Sequence, residues 1–138
     1  MRNYHIINVA ETVVDLPGYQ KVLTTGIDQI VNHSADRIYC TFTEYQDKKD
    51  LKQLVSNVLS KLKPKAQVMI EFVNFKKVCE DFLNSKISSS QIFDLIKNKK
   101  EIVMIEDIIA NLDVNTYKIM NINYDNYNIS ITIERTLV

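Results

Sequence analysis

The most informative shortage in this sequence is that of glycine. Only Gly18 and Gly26 occur among its 138 residues. A loop that closes tightly around a cofactor needs backbone that adopts positive φ or comes very close to the ligand, and glycine allows both. The two glycines do not form a GxGxxG pattern, so the sequence predicts no glycine-rich cofactor loop.

Excess charge and long apolar runs are missing as well. Lys plus Arg and Asp plus Glu both total 17, so no overall field draws the chain to nucleic acid or to anionic lipid. A membrane helix needs about 20 consecutive apolar residues, and the first residues do not build the apolar block of a signal peptide. We therefore expect no membrane association, no nucleic-acid partner, and a location in the cytoplasm or within a larger assembly.

Cysteine and histidine are too few, and too scattered, to indicate redox or metal chemistry. Cys40 and Cys79 lie in apolar segments without CxxC spacing, so we expect both in the core, as small hydrophobic side chains. His5 and His33 have no neighbouring ligands at metal-binding spacing. No metal site is predicted.

What the sequence does contain is an alternation of strand-like and helix-like segments. Apolar residues recur every second position in some segments and at i, i+3 and i+4 in others. Pro64 prevents continuation of the helix that precedes it. The predicted elements are, in order, a strand at 4–9, a helix within 19–33, a strand at 36–42, a helix at about 48–62, a strand at 66–74 and a helix at 75–84.

The last third of the chain predicts two further helices and a hairpin. Ser88 to Ser90 are N-cap candidates for one helix, and the second half of 101–112 forms the other. The segments on either side of "DNYN" alternate apolar and polar residues, which predicts an antiparallel hairpin from about Tyr117 to Arg135. The whole order predicts one α/β domain over residues 1–138, with a mostly parallel sheet flanked by helices and a C-terminal antiparallel hairpin.

The segment from Ala35 to Phe75 resembles the second half of class I S-adenosylmethionine-dependent methyltransferases. In that family, a strand that begins with Asp is followed by a helix, a Leu-Lys-Pro-Gly-Gly turn and another strand. Here Asp36 begins the strand, and Leu62, Lys63 and Pro64 stand at the turn. The family also ends in an antiparallel strand pair. The resemblance implies a truncated Rossmann-like methyltransferase fold.

The chain departs from the family at the cofactor. The resemblance implies a glycine-rich loop after the first strand and an acidic residue at the end of the second, and neither is found. Lys65 and Ala66 replace the glycines that usually follow Pro64. Only 35 residues precede Asp36, so we expect one strand and one helix in place of the family's cofactor half.

Four carboxylates are candidates if the chain nevertheless binds S-adenosylmethionine. Glu11, Asp15 and Asp36 are candidate cofactor ligands, with Glu11 and Asp15 also readable as solvated loop residues. Glu44 follows the Asp36 strand, where open α/β sheets place their ligands, and is the candidate acid or base. A carboxylate in front of a helix also complements the helix dipole, which is the competing interpretation of Glu44.

Our preferred prediction is a non-catalytic structural or protein-interaction module with no cofactor, acting in an oligomer or with another protein. We expect the first strand, with Ile6 and Ile7, to be an exposed sheet edge open to pairing. Tyr124 and Tyr127 flank the hairpin turn and are candidate contact residues. The alternative is a small methyltransferase whose S-adenosylmethionine site is atypical or is completed by a partner chain.

Overall fold

The computed structural model describes residues 1–7, 15–41, 48–96 and 104–136. Its strands are β1 (Asn3–Ile7), β2 (Gln20–Leu23), β3 (Ala35–Thr41), β4 (Leu62–Val73), β5 (Tyr117–Asp125) and β6 (Asn128–Arg135). Its helices are α1 (Lys48–Ser60), α2 (Phe75–Leu83), α3 (Ser89–Ile96) and α4 (Ile105–Ile109), together with a 3-10 helix at Thr24–Gln29.

The strands form one mixed sheet in the order β2-β1-β3-β4-β6-β5. β1 pairs in parallel with both β2 and β3, and β3 pairs in parallel with β4. β6 is antiparallel to both β4 and β5, so the hairpin extends the parallel part on one side. This arrangement confirms the predicted α/β fold with a mostly parallel sheet and a C-terminal antiparallel hairpin.

The hydrophobic core lies against one face of the sheet, which we call the core face. Alternate strand residues point to opposite faces, and those on the core face are buried under α1, the 3-10 helix and α4. The buried cluster includes Ile6, Ile38, Cys40, Val68, Ile70, Phe72, Ile129, Ile131 and Ile133 from strands and Ile27, Ile30, Leu51, Val55, Val58, Leu59 and Ile108 from helices. The other side, the second face, carries Asn3, His5, Arg37, Tyr39, Thr41, Gln67, Met69, Glu71 and Thr132.

The helix predicted within residues 19–33 is wrong. Residues Gln20–Leu23 form β2, and Thr24–Gln29 form the 3-10 helix. Thr24, Thr25 and Gly26 have low α-helix propensity, and pairing of β2 with β1 fixes the preceding residues as a strand. Among the described residues, two strands therefore precede β3, which corrects the expectation of a single strand and a helix.

The prediction that the first strand is an exposed sheet edge is also wrong. β1 lies between β2 and β3, and Ile6 and Ile7 are only 0% and 3% exposed. A central strand buries side chains on both faces, so these two isoleucines stabilise the interior. The sheet edges are β2 and β5.

The junction between α1 and β4 is tighter than the sequence indicates. α1 ends at Ser60 and β4 already begins at Leu62, which pairs with Ala35. The pairing register then shifts, so that Gln67 is the next partner, opposite Arg37. Pro64 falls within this irregular stretch, where a strand tolerates a residue that cannot donate to the ladder.

Two local predictions are confirmed. Ser88 caps α3 through its Oγ, which accepts from the backbone N–H of Gln91 at 3.2 Å, while the Gln91 side chain accepts from the Ser88 N–H at 2.7 Å. The predicted hairpin is formed by β5 and β6, which pair in antiparallel orientation across a turn at Asn126 and Tyr127. Asn126 has a φ of 53°, a conformation that asparagine tolerates well. Among the described residues, no helix has the length and apolar character needed to cross a membrane.

Candidate functional site

The edge formed by the carboxyl ends of the parallel strands is the first place to look for a site. Open α/β sheets bind ligands beyond these ends, between two neighbouring strands whose following connections lead in opposite directions along the sheet. Here β2 lies on one side of β1 and β3 on the other, so this position lies between β1 and β3. Glu11 and Glu44 belong to the segments that follow these two strands, and both lie outside the described residues.

Asp15 is the predicted ligand nearest to that edge in sequence, and it is a solvated surface group. Its side chain is 88% exposed and its Oδ1 lies 2.5 Å from Nζ of Lys21 in β2. The hydrogen bond and the charge of Lys21 lower the pKa of the Asp15 carboxyl. The carboxylate is therefore ionised at neutral pH and already has a cation beside it.

Asp36 lies at the opposite edge of the sheet, at the amino end of β3. Its Oδ2 accepts from the backbone N–H of Arg2 at 2.7 Å, and its Oδ1 lies 3.0 Å from Nζ of Lys63. The Arg2 hydrogen bond, followed by that of Lys63, lowers the pKa of Asp36. Asp36 therefore ties the starts of β1, β3 and β4 together, and the structure does not bring it to the carboxyl ends of the strands.

A pocket of about 370 Å³ opens at the carboxyl end of β4. Its walls combine apolar side chains with charged groups of α2 and α4. The lining residues include Phe72, Phe75, Met104, Tyr124 and Ile129 on the apolar side and Lys76, Glu80 and Glu106 on the charged side. This size and mixed lining are typical of small-molecule sites.

The second face of the sheet contains a polar cluster that sequence reasoning missed. His5 is 2% exposed, and among the described residues neither of its ring nitrogens has a hydrogen-bond partner. Its ring meets the edge of Tyr39 at 5.0 Å between centroids. Burial is the main cause that lowers the pKa of His5; Lys21 adds to the effect and Asp15 opposes it. A neutral imidazole can donate one hydrogen bond and accept another.

The cluster continues across β3 to β4. The hydroxyl of Tyr39 donates to Oε2 of Glu71, and burial, reinforced by Glu71, raises the pKa of Tyr39. Thr41 faces Glu71 in the strand register, and its buried hydroxyl has no hydrogen-bond partner within residues 1–7, 15–41, 48–96 and 104–136. The alternation in "DRIYCT" already places Tyr39 and Thr41 on one face, but the contact with His5 depends on the pairing of β1 with β3.

The two tyrosines of the hairpin have different environments. The hydroxyl of Tyr127 donates to Oδ2 of the buried Asp81 at 2.6 Å and so joins the turn to α2. Tyr124 is 61% exposed and lines the pocket at the end of β4. Tyr124 is therefore the one whose hydroxyl and ring remain accessible on the surface.

Comparison with solved structures identifies the fold. The chain superposes on a SAM-dependent methyltransferase from Anabaena variabilis with a TM-score of 0.57 at 11% identity, covering 88% of this chain and 60% of that one. A SAM-dependent methyltransferase from Methanosarcina mazei superposes with a TM-score of 0.54 at 13% identity, covering 87% of this chain and 68% of that one. An O-methyltransferase family protein from Burkholderia thailandensis superposes with a TM-score of 0.59 at 12% identity, covering 86% of this chain and 35% of that one.

No known protein-family pattern and no curated protein matches the sequence. The structural likeness nevertheless shows that the chain has a class I methyltransferase-like, Rossmann-like fold. It spans 60% of the Anabaena protein's length and about a third of the Burkholderia protein's. At these identities the likeness shows the fold alone.

Proposed function

We propose that this chain is a non-catalytic protein-interaction module built on a methyltransferase-like fold, acting in the cytoplasm or within a larger assembly. The observation that carries the proposal is that no glycine occurs in the stretch of sequence directly after β1, between Ile7 and Gly18. β1 occupies the position in the sheet where the family's first strand is followed by its cofactor loop. Here the first glycine after Ile7 is Gly18, which belongs to the turn before β2.

The surroundings of Gly18 support this interpretation. Its φ is 82°, and the N–H of Tyr19 donates to the carbonyl of Leu16 at 3.1 Å. Pro17 and Gly18 are therefore the two central residues of a β-turn, and the positive φ at the second of them is what glycine supplies. This glycine serves to reverse the chain into β2.

The residues after β2 lack the second recognition feature of the family. β2 ends at Leu23 and continues with Thr24, so no acidic residue ends the strand. The first carboxylate beyond it is Asp28, whose Oδ1 accepts from Nδ2 of Asn57 in α1 at 3.0 Å. That contact gives Asp28 a role in attaching the 3-10 helix to α1.

The alternative is a small methyltransferase that holds S-adenosylmethionine in an unusual or partner-completed site. It is favoured by the divergence of the chain between β1 and β3, which is where such folds bind ligands. Glu11 and Glu44 belong to the segments that follow these strands, and the pocket at the end of β4 offers room for an acceptor substrate.

Calorimetric titration with S-adenosylmethionine and S-adenosylhomocysteine distinguishes the two functions. We expect no binding up to about 1 mM ligand, equivalent to a binding free energy weaker than about −4 kcal/mol. Micromolar binding would contradict the proposal. In that case Glu11→Gln and Glu44→Gln should weaken binding under the alternative, while Asp36→Asn, at the opposite edge of the sheet, should leave it unchanged.

A further inference from the structure

β5 is the longer of the two sheet edges. It has nine residues, whereas β2, at the other edge, has four. Short edge strands protect a sheet from pairing with other chains, and long ones with few charges do not. The charged residues of β5 are Lys118, near one end, and Asp125, at the other. In the described part of the chain, no strand pairs with the outer side of β5.

The pairing of β5 with β6 shows which face each β5 side chain occupies. Ile119, Ile122 and Tyr124 pair with Ile133, Ile131 and Ile129, which are buried on the core face. Lys118, Asn123 and Asp125 pair with Glu134, Ser130 and Asn128, so they lie on the second face. The register shifts between Ile119 and Asn121, which makes Met120 the extra residue of a bulge.

This bulge determines the register in which β5 is complementary to an antiparallel copy of itself. If a two-fold axis passes beside Ile122, this residue faces its own counterpart. Met120 and Asn121 of each copy then together face Asn123 of the other, as a bulge requires. If Met120 and Asn121 each faced a separate residue of the other copy instead, the rest of the strand would be out of step, with core-face side chains such as Ile119 set against second-face ones such as Asp125.

In this register the two ends of the strand match in chemistry. Lys118 of each copy faces Asp125 of the other on the second face, and Ile119 faces Tyr124 on the core face. Lys118 and Asp125 are exposed, and Tyr124 is 61% exposed. Because of the two-fold symmetry, each of these contacts occurs twice in the dimer. Opposite charges and aromatic with β-branched residues are favourable cross-strand pairs.

We propose that two copies of this chain associate by antiparallel pairing of their β5 strands, which joins the two sheets into one. The inference rests on the proposed function as an interaction module and names the partner as a second copy. The charge match is the reason for choosing a second copy, because one strand supplies both members of the pair. Backbone hydrogen bonds between the two edges provide affinity, and the side-chain match fixes the register.

Sedimentation and light scattering over a range of concentrations test the proposal. We expect a mass of two chains. Lys118→Asp and Asp125→Lys each convert two attractive pairs into two repulsive ones, so each should raise the dissociation constant about tenfold. The double variant restores opposite charges and should restore the dimer. Lys52→Asp, on the exposed side of α1, is the matched control and should change nothing.

Cross-linking tests the register independently of charge. In a Cys79→Ser background, which leaves only the buried Cys40, Ile122→Cys places two thiols opposite each other at the axis. Opposed residues of antiparallel strands have Cα atoms about 4.5–5.5 Å apart, within the range of a disulfide. We expect oxidation to produce a covalent dimer from Ile122→Cys and not from Gln20→Cys on the β2 edge.

A monomer at every concentration, or a dimer that both charge reversals leave intact, would overturn the β5 proposal. A monomer would also be the result if β5 pairs with a strand of a different protein. These outcomes are separate from the cofactor titration. Binding of S-adenosylmethionine by a dimer would contradict only the non-catalytic function, and a monomer without cofactor binding would contradict only the β5 interface.

Discussion

Replacement of His5 by phenylalanine tests the packing of the second face of the sheet most directly. The imidazole is 2% exposed, and both of its nitrogens lack hydrogen-bond partners in the part of the chain that the structure describes. A buried polar group without a partner costs about 1–3 kcal/mol. Phenylalanine removes both nitrogens and keeps an aromatic ring against Tyr39, so His5→Phe should raise the free energy of unfolding by about 1–3 kcal/mol.

The same substitution should change the pH dependence of stability. Burial, together with Lys21, lowers the pKa of His5 below its value of about 6.5 in the unfolded chain. The unfolded state therefore binds a proton first as the pH falls. Stability should be greatest above about pH 6.5 and decrease below it, with a slope of at most about 1.4 kcal/mol per pH unit for one proton.

Urea unfolding of wild type and His5→Phe at several pH values between 5 and 8 measures both effects. The His5→Phe variant should be more stable than wild type, and its free energy of unfolding should no longer decrease below about pH 6.5. The control is His33→Asn, at a position with a φ of 59° that asparagine tolerates, and it should retain this decrease. If His5→Phe lowers the stability by more than about 1 kcal/mol, the imidazole is making polar contacts and our reasoning about its nitrogens is refuted.

Three further substitutions test the core, a helix cap and the attachment of the hairpin. Phe72 is 1% exposed, and Phe72→Ala should cost about 3–5 kcal/mol in urea unfolding. Ser88→Ala removes the cap of α3 and should cost about 1 kcal/mol, whereas Ser88→Asp should retain most of the stability; equal losses would contradict the cap. The hydrogen bond from the Tyr127 hydroxyl is the main cause that lowers the pKa of Asp81 in the folded protein. The ionised carboxylate therefore stabilises the fold at pH values above the pKa that Asp81 has in the unfolded chain. This contribution is lost as the pH falls through the pKa that Asp81 has in the folded protein. Tyr127→Phe should therefore raise the Asp81 pKa measured by NMR titration, and Tyr124→Phe should not.

Elements with a strong local pattern were predictable from the sequence. The apolar stripe of α1, the Ser88 cap and the alternating residues of the hairpin each indicate one structure without help from distant residues. The resemblance around Asp36 and Pro64 correctly indicated the methyltransferase-like fold. Candidate contact residues were harder to predict, because exposure depends on the neighbours: Tyr124 is exposed, while the Tyr127 hydroxyl is bonded to Asp81.

The sequence by itself determined the class of fold, because hydrophobic periodicity and turn residues act over only a few positions. It also determined the lack of a glycine-rich loop, which is a matter of composition. Only the tertiary structure decided that β2 is a strand, that β1 is central and that His5 lies against Tyr39. Each of these depends on pairing between segments far apart in the chain, and strand pairing overrides the weak local preferences of short segments such as "QKVLTTGID".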